Sequence, residues 1–187
     1  MYRAMSLKAS LLIYLRKKYI EKSQKKLLSI YLKKKWIIMR IKSTIYKDIK
    51  RIYELEKATF NENAFDRNLF QKLINLNLLF LKLEKGLLRK KIIGFLIMIK
   101  DKKDRANLIN FLIEKPYRNM GFGKRLLNHA LELIRTNHPR IRKIILNVKI
   151  NNSAAIHLYE KFNFTIVDTI QDYYRSGDSA YIMILVL

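Results

Sequence analysis

From Met39 to the C-terminus, short apolar runs alternate with longer segments whose apolar residues return every three or four positions. This alternation constrains the fold more than any other feature. A period of two belongs to strands and a period near 3.6 to helices. MRIKSTI reads as a strand, and IYKDIKRIYELEKATF as a helix with Ile45, Ile49, Ile52 and Leu55 on one stripe. NENAFDRNLFQKLI is a loop followed by a second short helix. LLFLKLEKGLLRKKIIGFLIMIKD has the form of a hairpin turning near Gly86, with ANLINFLIE as the next strand. That strand leads into a glycine loop and a helix, YRNMGFGKRLLNHALELI. Then come a strand (IRKIILNVKI), a helix (NNSAAIHLYEKF) and two more strands (FTIVDTI and AYIMILVL). Strands with four interspersed helices predict an α/β (α+β) domain in which helices flank a mixed sheet.

Residues 1–38 differ from this pattern. They carry eleven Lys or Arg and one acid, Glu21. Leu7, Leu11, Leu15 and Tyr19 fall at helical spacing, which predicts a basic amphipathic extension suited to a charged surface. ASLLIYL is too short an apolar core for a signal peptide, and no small-residue cleavage site follows it. A basic, nearly acid-free stretch also fits a transit peptide, and Met39 is available as a second start. The expected division is therefore an extension at 1–38 and a domain at 39–187. The chain's net charge of +24 would attract nucleic acid, ribosomes or anionic membrane, although a biased Lys-, Ile- and Asn-rich composition explains the charge equally well. With no cysteine there is no disulfide framework and no thiolate chemistry, which favours a reducing, cytoplasmic setting. His129, His138 and His157 are too scattered for a metal site, and no apolar run approaches the ~20 residues that span a bilayer.

Two stretches carry chemistry. In Arg118-x-x-Gly121-x-Gly123, a strand gives way to a helix start where backbone N–H groups and the positive helix end converge. Glycine at 121 and 123 permits close approach of a phosphate, and Lys124 and Arg125 add charge. The loop lacks the third glycine of a dinucleotide fingerprint and the Gly-Lys-Ser/Thr ending of a triphosphate loop, so a diphosphate-bearing cofactor fits better. The second stretch is LNVKINNSAAIHLYEKFNF. Asn152 stands at a helix N-cap, and Tyr159 shares a helix face with the small Ala155.

Together these stretches resemble the GNAT superfamily of acetyl-CoA-dependent N-acetyltransferases. Within it they resemble the N-terminal-amine acetyltransferases, the family of the ribosomal-protein-alanine N-acetyltransferase. The matching residues are Arg118-x-x-Gly121-x-Gly123 and Asn152-x-x-Ala155-Ile156-x-Leu158-Tyr159-Glu160-Lys161-x-x-Phe164. DYYRSGDSAYIM and ELEKATF…NLF also match, so the likeness covers nearly all of the chain after the extension. The resemblance implies a largely antiparallel GNAT sheet and an acetyl-CoA site. Phe111, Leu112 and Ile113 would pair with the pantetheine arm, and Asn119, Met120, Gly121, Phe122, Gly123 and Lys124 would cradle the pyrophosphate next to Arg118. Asn152 would bond the cofactor arm, Tyr159 would protonate the leaving thiolate, and Tyr173 and Tyr174 would line the groove for a protein or peptide N-terminus.

The chain departs from the family at Asn147, where bacterial members carry a glutamate read as the general base. Asparagine cannot accept a proton at neutral pH but can hold a water. Glu62, in the loop between the first two helices, is the alternative carboxylate, or else an exposed loop acid. RSGDSA keeps only one acid of the usual pair, Asp178, and Asn163 replaces a turn glycine, which Asn tolerates because it visits the left-handed region. Two alternatives stay open: a GNAT enzyme acting on a small amine or lysine side chain, and an inactive GNAT module that binds ribosomes through its charge.

Overall fold

The computed structural model describes residues 39–187. Its elements, in chain order, are β1 (Met39–Ser43), α1 (Ile49–Phe60), α2 (Arg67–Leu76), β2 (Leu79–Lys85), β3 (Lys91–Lys102), β4 (Arg105–Ile113), α3 (Phe122–Asn137), β5 (Lys143–Lys149), α4 (Ser153–Glu160), β6 (Thr165–Ile170) and β7 (Ala180–Val186). The alternation read from the sequence is the one that forms. The amphipathic reading of 1–38 lies outside the described residues.

The seven strands make one sheet in the order β1-β2-β3-β4-β5-β7-β6. Every pairing is antiparallel except β4 with β5, which are parallel. That exception follows from the connection: parallel neighbours need a crossover, and α3 supplies it. β2 and β3 are buried along most of their length, as central strands covered on both faces should be. On one face α1 and α2 close a core of Ile49, Ile52, Phe70, Leu73, Phe80, Phe95, Ile97 and Leu112. Phe70 stands edge-on to Phe95 with ring centroids 5.8 Å apart, and Phe80 lies 6.2 Å from both. Strand alternation turns Leu96 and Met98 to the opposite face. There α3 packs with Leu126, Leu127, Ala130, Leu131 and Ile134 buried.

Local chemistry sets several boundaries. α1 begins later than the sequence stripe suggests, because Asp48 accepts the Ile45 N–H through its side chain (3.0 Å) and holds residues 46–48 in a 3-10 turn. Asp66 caps α2 by accepting the Leu69 N–H at 2.7 Å. Asn163 sits at φ 64°, the left-handed conformation expected of it.

The feature that shapes the site is a disruption. β4 pairs with β5 only from Arg105 to Leu108, against Lys143 to Leu146. At that level the β3–β4 register skips Ile109, Ile97 facing Asn110 and Met98 facing Leu108, so β4 carries a bulge. A bulge bends its strand and adds local twist. Beyond it β4 and β5 no longer pair, and a cleft opens between them.

Candidate active site

A cavity of about 660 Å³ fills this cleft. One wall is β4 from Leu108 to Ile113, and the facing wall is Asn147 to Lys149 followed by the start of α4. α1 and the turn after it, from Glu56 to Asn63, close one end; Arg118, Asn119 and Gly123 stand at the other.

At the glycine end Gly121 has φ 79° and an open space where a Cβ would stand, so its requirement is conformational. Gly123 is needed for packing: a Cβ there would touch Leu158 at 3.4 Å and Phe111 at 3.6 Å. The first helical hydrogen bond of α3 runs from the Arg125 N–H to the Gly121 carbonyl (3.0 Å), which leaves the preceding helical amides to a ligand. Arg118 donates Nε to the Ile113 carbonyl at 2.9 Å, pinning the loop to the end of β4.

The structure brings Phe111, Leu112, Ile113, Arg118, Asn119, Gly123, Asn147, Asn152, Tyr159, Tyr174 and Glu62 into the cavity wall. Leu112 contributes through its backbone, since its side chain is buried in the α1–α2 core. Met120, Gly121, Phe122 and Lys124 stand outside the wall, and Met120 is half exposed, so no side chain from the loop plugs the cleft. Tyr173 is also outside it, but its hydroxyl accepts a hydrogen bond from Asn147 Nδ2 at 2.7 Å. Asn152 caps α4 by accepting the Ala155 N–H at 3.3 Å, leaving its amide nitrogen for a second partner.

Tyr159 is buried between Phe111 and Phe164, with centroids 6.3 and 5.6 Å away. Burial, reinforced by Tyr174, pushes its phenol well above the usual range, so it stays protonated at any working pH. The Tyr174 phenol is pushed up to about 12, by burial first and then by Tyr173 and Asp178. Lys149 lies over the Tyr174 ring (5.1 Å) and binds Asp178. That contact, with a hydrogen bond from Ser176, holds the exposed Asp178 carboxyl below the usual carboxylate range. Two bonds tie this β6–β7 loop to the turn after α1: Asn63 Nδ2 donates to Ser176 Oγ (3.0 Å) and Arg175 Nη1 donates to the Glu62 carbonyl (3.4 Å). The two loops thereby roof the α1 end of the cavity.

Sequence reasoning missed Glu56 and Asn110. Glu56 is 1% exposed and its Oε1 accepts from the Phe65 N–H and from Asn110 Nδ2, both at 3.0 Å. Burial raises its carboxyl to about 7, against the two hydrogen bonds, which lower it. A signal existed: Glu56 is four residues from Ile52 and so lies on the buried stripe of α1.

The residues fit an acetyl-CoA molecule. Past Leu108, one edge of β4 has no strand partner, so its backbone can pair with an extended amide chain. The left-handed Gly121, the open amides of α3 and exposed Lys124 and Arg125 suit a pyrophosphate. Among the described residues no His, Cys, Asp or Glu cluster could hold a metal ion.

The comparisons agree with this geometry. The chain is similar to an N-alpha-acetyltransferase of Sulfolobus acidocaldarius, with 32% identity over 42% of this chain and 46% of the relative. It is similar to N-alpha-acetyltransferase 50 of Danio rerio, with 38% identity over 35% of this chain and 38% of that one. The chain thus spans less than half the length of these relatives. Among solved structures, the ribosomal-protein-S18-alanine N-acetyltransferase of Escherichia coli superposes with a TM-score of 0.69 at 25% identity, over 80% of this chain and 94% of that one. Residues 45–164 match the Acetyltransferase (GNAT) family. Well over half of the chain lies within that match, and the chain belongs to the GNAT family.

Proposed function

We propose that this protein transfers an acetyl group from acetyl-CoA to the α-amino group of a protein or peptide N-terminus. The observation that carries this reading is the roof over the α1 end of the cavity. The Asn63–Ser176 and Arg175–Glu62 contacts close the acceptor side, so an acceptor enters end-on, as a chain terminus does. The naming of two relatives as N-alpha-acetyltransferases supports the same choice.

Bound acetyl-CoA would supply an acetyl thioester at the cleft, held by the backbone of Phe111–Ile113, the amides of the Gly121 loop and the free amide nitrogen of Asn152. Asn147 donates to Tyr173 and lacks a basic atom, so it positions Tyr173 and carries no proton. Tyr159 has a raised phenol pKa, whereas an ordinary thiol ionises near 8.5. Full proton transfer to the departing thiolate would therefore run uphill. Tyr159 instead donates a hydrogen bond to the developing negative charge and keeps its proton. Glu62 is exposed, and its placement favours steering the acceptor over deprotonating it.

Two finer assignments belong to the same reading. Residues 1–38 form a basic extension to the domain at 39–187, and they hold the enzyme near ribosomes in the cytoplasm. Among the described residues no helix is long and apolar enough to cross a membrane. Shortening the chain to start at Met39 removes ten net positive charges and should abolish salt-sensitive ribosome binding.

The deciding experiment incubates the full chain with acetyl-CoA and peptides carrying both a free N-terminus and an internal lysine. Mass spectrometry should place the acetyl group on the α-nitrogen. Acetylation confined to lysine side chains or polyamines would overturn the proposal, and no turnover on any amine would leave a binding module.

A further inference from the structure

Glu56 and Asn110 hold each other in the cavity wall, and each keeps one buried oxygen that bonds to nothing among the described residues: Glu56 Oε2 and Asn110 Oδ1. Asn63 Oδ1, also in the wall, is a third. All three are acceptors. A buried acceptor without a partner costs about 1–3 kcal/mol, more for a charged group, so one such oxygen calls for an explanation and three lining one cavity share one. The complementary ligand carries several N–H donors and a positive charge, which describes a primary ammonium group.

We infer that Glu56, with Asn110 beside it, receives the ammonium group of the acceptor and takes its proton, serving as the general base that Asn147 cannot be. The inference rests on the α-amine assignment above. Oε1 is fixed by the Phe65 amide and by Asn110, so the carboxylate is oriented from two elements before any substrate arrives. Oε2 is the basic atom left over. In so closed a setting the amine reaches it directly or across one water, both within the reach of a general base.

The groups facing Glu56 are neutral: the Phe65 amide from the turn, Asn110 from β4 and, across the cavity, Tyr159 from α4 and Tyr174 from the β6–β7 loop. Lys149, the cation in the wall nearest the roof, is engaged by Asp178. Burial is what raises the Glu56 pKa, to about 7. A base poised there matches an α-amine, which ionises near 7.7–8.0.

The proton balance is complete. Glu56 Oε2 forms an O–H bond with one ammonium proton, and the N–H pair stays on nitrogen. That lone pair forms the C–N bond to the acetyl carbonyl of the thioester. The C–S bond breaks with its electrons on sulfur. The extra proton on the new amide nitrogen neutralises the thiolate under the Tyr159 hydrogen bond, and Glu56 returns its own proton to water.

The test uses the full chain and three variants. Glu56→Gln keeps an oxygen for the Phe65 amide and for Asn110 but cannot take a proton. It should lower kcat/KM about 100-fold at pH 7, with KM for acetyl-CoA unchanged. The deficit should shrink severalfold or more by pH 9, where the amine is neutral unaided. Glu56→Asp should recover part of the rate, and Asn110→Ala should act on peptide KM more than on acetyl-CoA KM. A binding readout accompanies the kinetics. In carbon-13 glutamate-labelled protein, the Glu56 carboxyl signal should move on adding a free-amine peptide and stay still with its N-formylated counterpart. A Glu56→Gln enzyme with full activity, or a loss of equal size at every pH, would overturn the inference. So would a carboxyl signal indifferent to the free amine, which can be read in the unmodified chain even where a variant fails to fold. A wild-type enzyme that acetylates α-amines while Glu56→Gln remains equally active would remove Glu56 alone. A wild-type enzyme inactive on every α-amine would remove the parent reading.

Discussion

Two buried acidic sites on the α1–α2 side of the sheet begin only eight residues apart, and they are built on opposite terms. In the first, Lys82 Nζ on β2 is clasped by Asp48 (2.7 Å) and Glu84 (2.9 Å), all three nearly inaccessible. Burial works against the charged lysine, but the hydrogen bonds from both carboxylates outweigh it and hold its pKa above the usual value. In the second, Glu56 has two neutral donors and no cation, and its pKa rises. The first site meets its charges within itself, with nothing for a ligand to complete. The second leaves a charge unmet in the wall of a cavity. Structural ion clusters and reaction sites can both be buried and both perturb pKa values. The sign of the imbalance separates them: a paired cluster protects the fold, and an unpaired carboxylate waits for a partner.

The largest expected effect tests the first site. Lys82→Met strands two buried carboxylates and should destabilise the domain by about 3–5 kcal/mol at pH 7. Denaturant unfolding measures this. Changing Asp48, Lys82 and Glu84 together to apolar residues of matching volume should recover most of the loss. If the single variant is as stable as the wild type, the triad is not the closed unit described.

Tyr159→Phe tests the second site from across the cavity. It should reduce kcat by roughly 10²–10³-fold, the worth of one donor aimed at developing charge. KM for acetyl-CoA and the melting temperature should hardly move, because the ring still packs between Phe111 and Phe164. Loss of rate without loss of stability is the inverse of the Lys82→Met outcome. A fully active Tyr159→Phe enzyme would remove the hydrogen-bond role.

Stability against pH sharpens the contrast further. Below pH 4.5 the Glu56 carboxyl is protonated in both the folded and unfolded chain, so its burial costs no ionisation energy. As pH rises from 4.5 to about 7, the unfolded chain ionises first, and folding loses stability through that window. Above it the penalty levels off at roughly 2–3 kcal/mol. Glu56→Gln removes the penalty, so the variant should gain on the wild type as pH rises from 4.5 to 8, by that amount. Parallel stability–pH curves for the two proteins would show that the raised pKa is not a property of the folded state.

Much of this was legible in the sequence, and the parts that were not have physical reasons. Strand and helix periods, the glycine loop and the Asn152–Tyr159 helix could be read because each depends on neighbours within a few residues. The β4 bulge at Ile109 could not, because ANLINFLIE reads as a regular strand and the skip is set by pairing with β3. Glu56 was hidden for a related reason. LEKATF looks like a solvated helix face until Phe65, nine residues on, and Asn110, fifty-four residues on, close over it. Asn147 could be identified as a missing base, but its bond to Tyr173 depends on a loop twenty-six residues away.

The smallest expected effect falls on Glu62, the carboxylate that sequence alone makes the more prominent. It lies in the exposed turn after α1, and its backbone carbonyl, not its side chain, ties the turn to Arg175. Glu62→Gln preserves that carbonyl, so the roof should stay closed. A solvated carboxylate near the entrance acts through screened attraction of the incoming ammonium, worth well under 1 kcal/mol. The variant should therefore change kcat/KM by about threefold or less, mainly through peptide KM, and the change should fade as salt is raised. The pH profile should keep the shape of the wild type's, since the titrating group lies deeper. If instead Glu62→Gln loses about 100-fold at pH 7 and recovers at pH 9, the base sits in the turn. The buried carboxylate on α1 would then be a structural cost with no catalytic return.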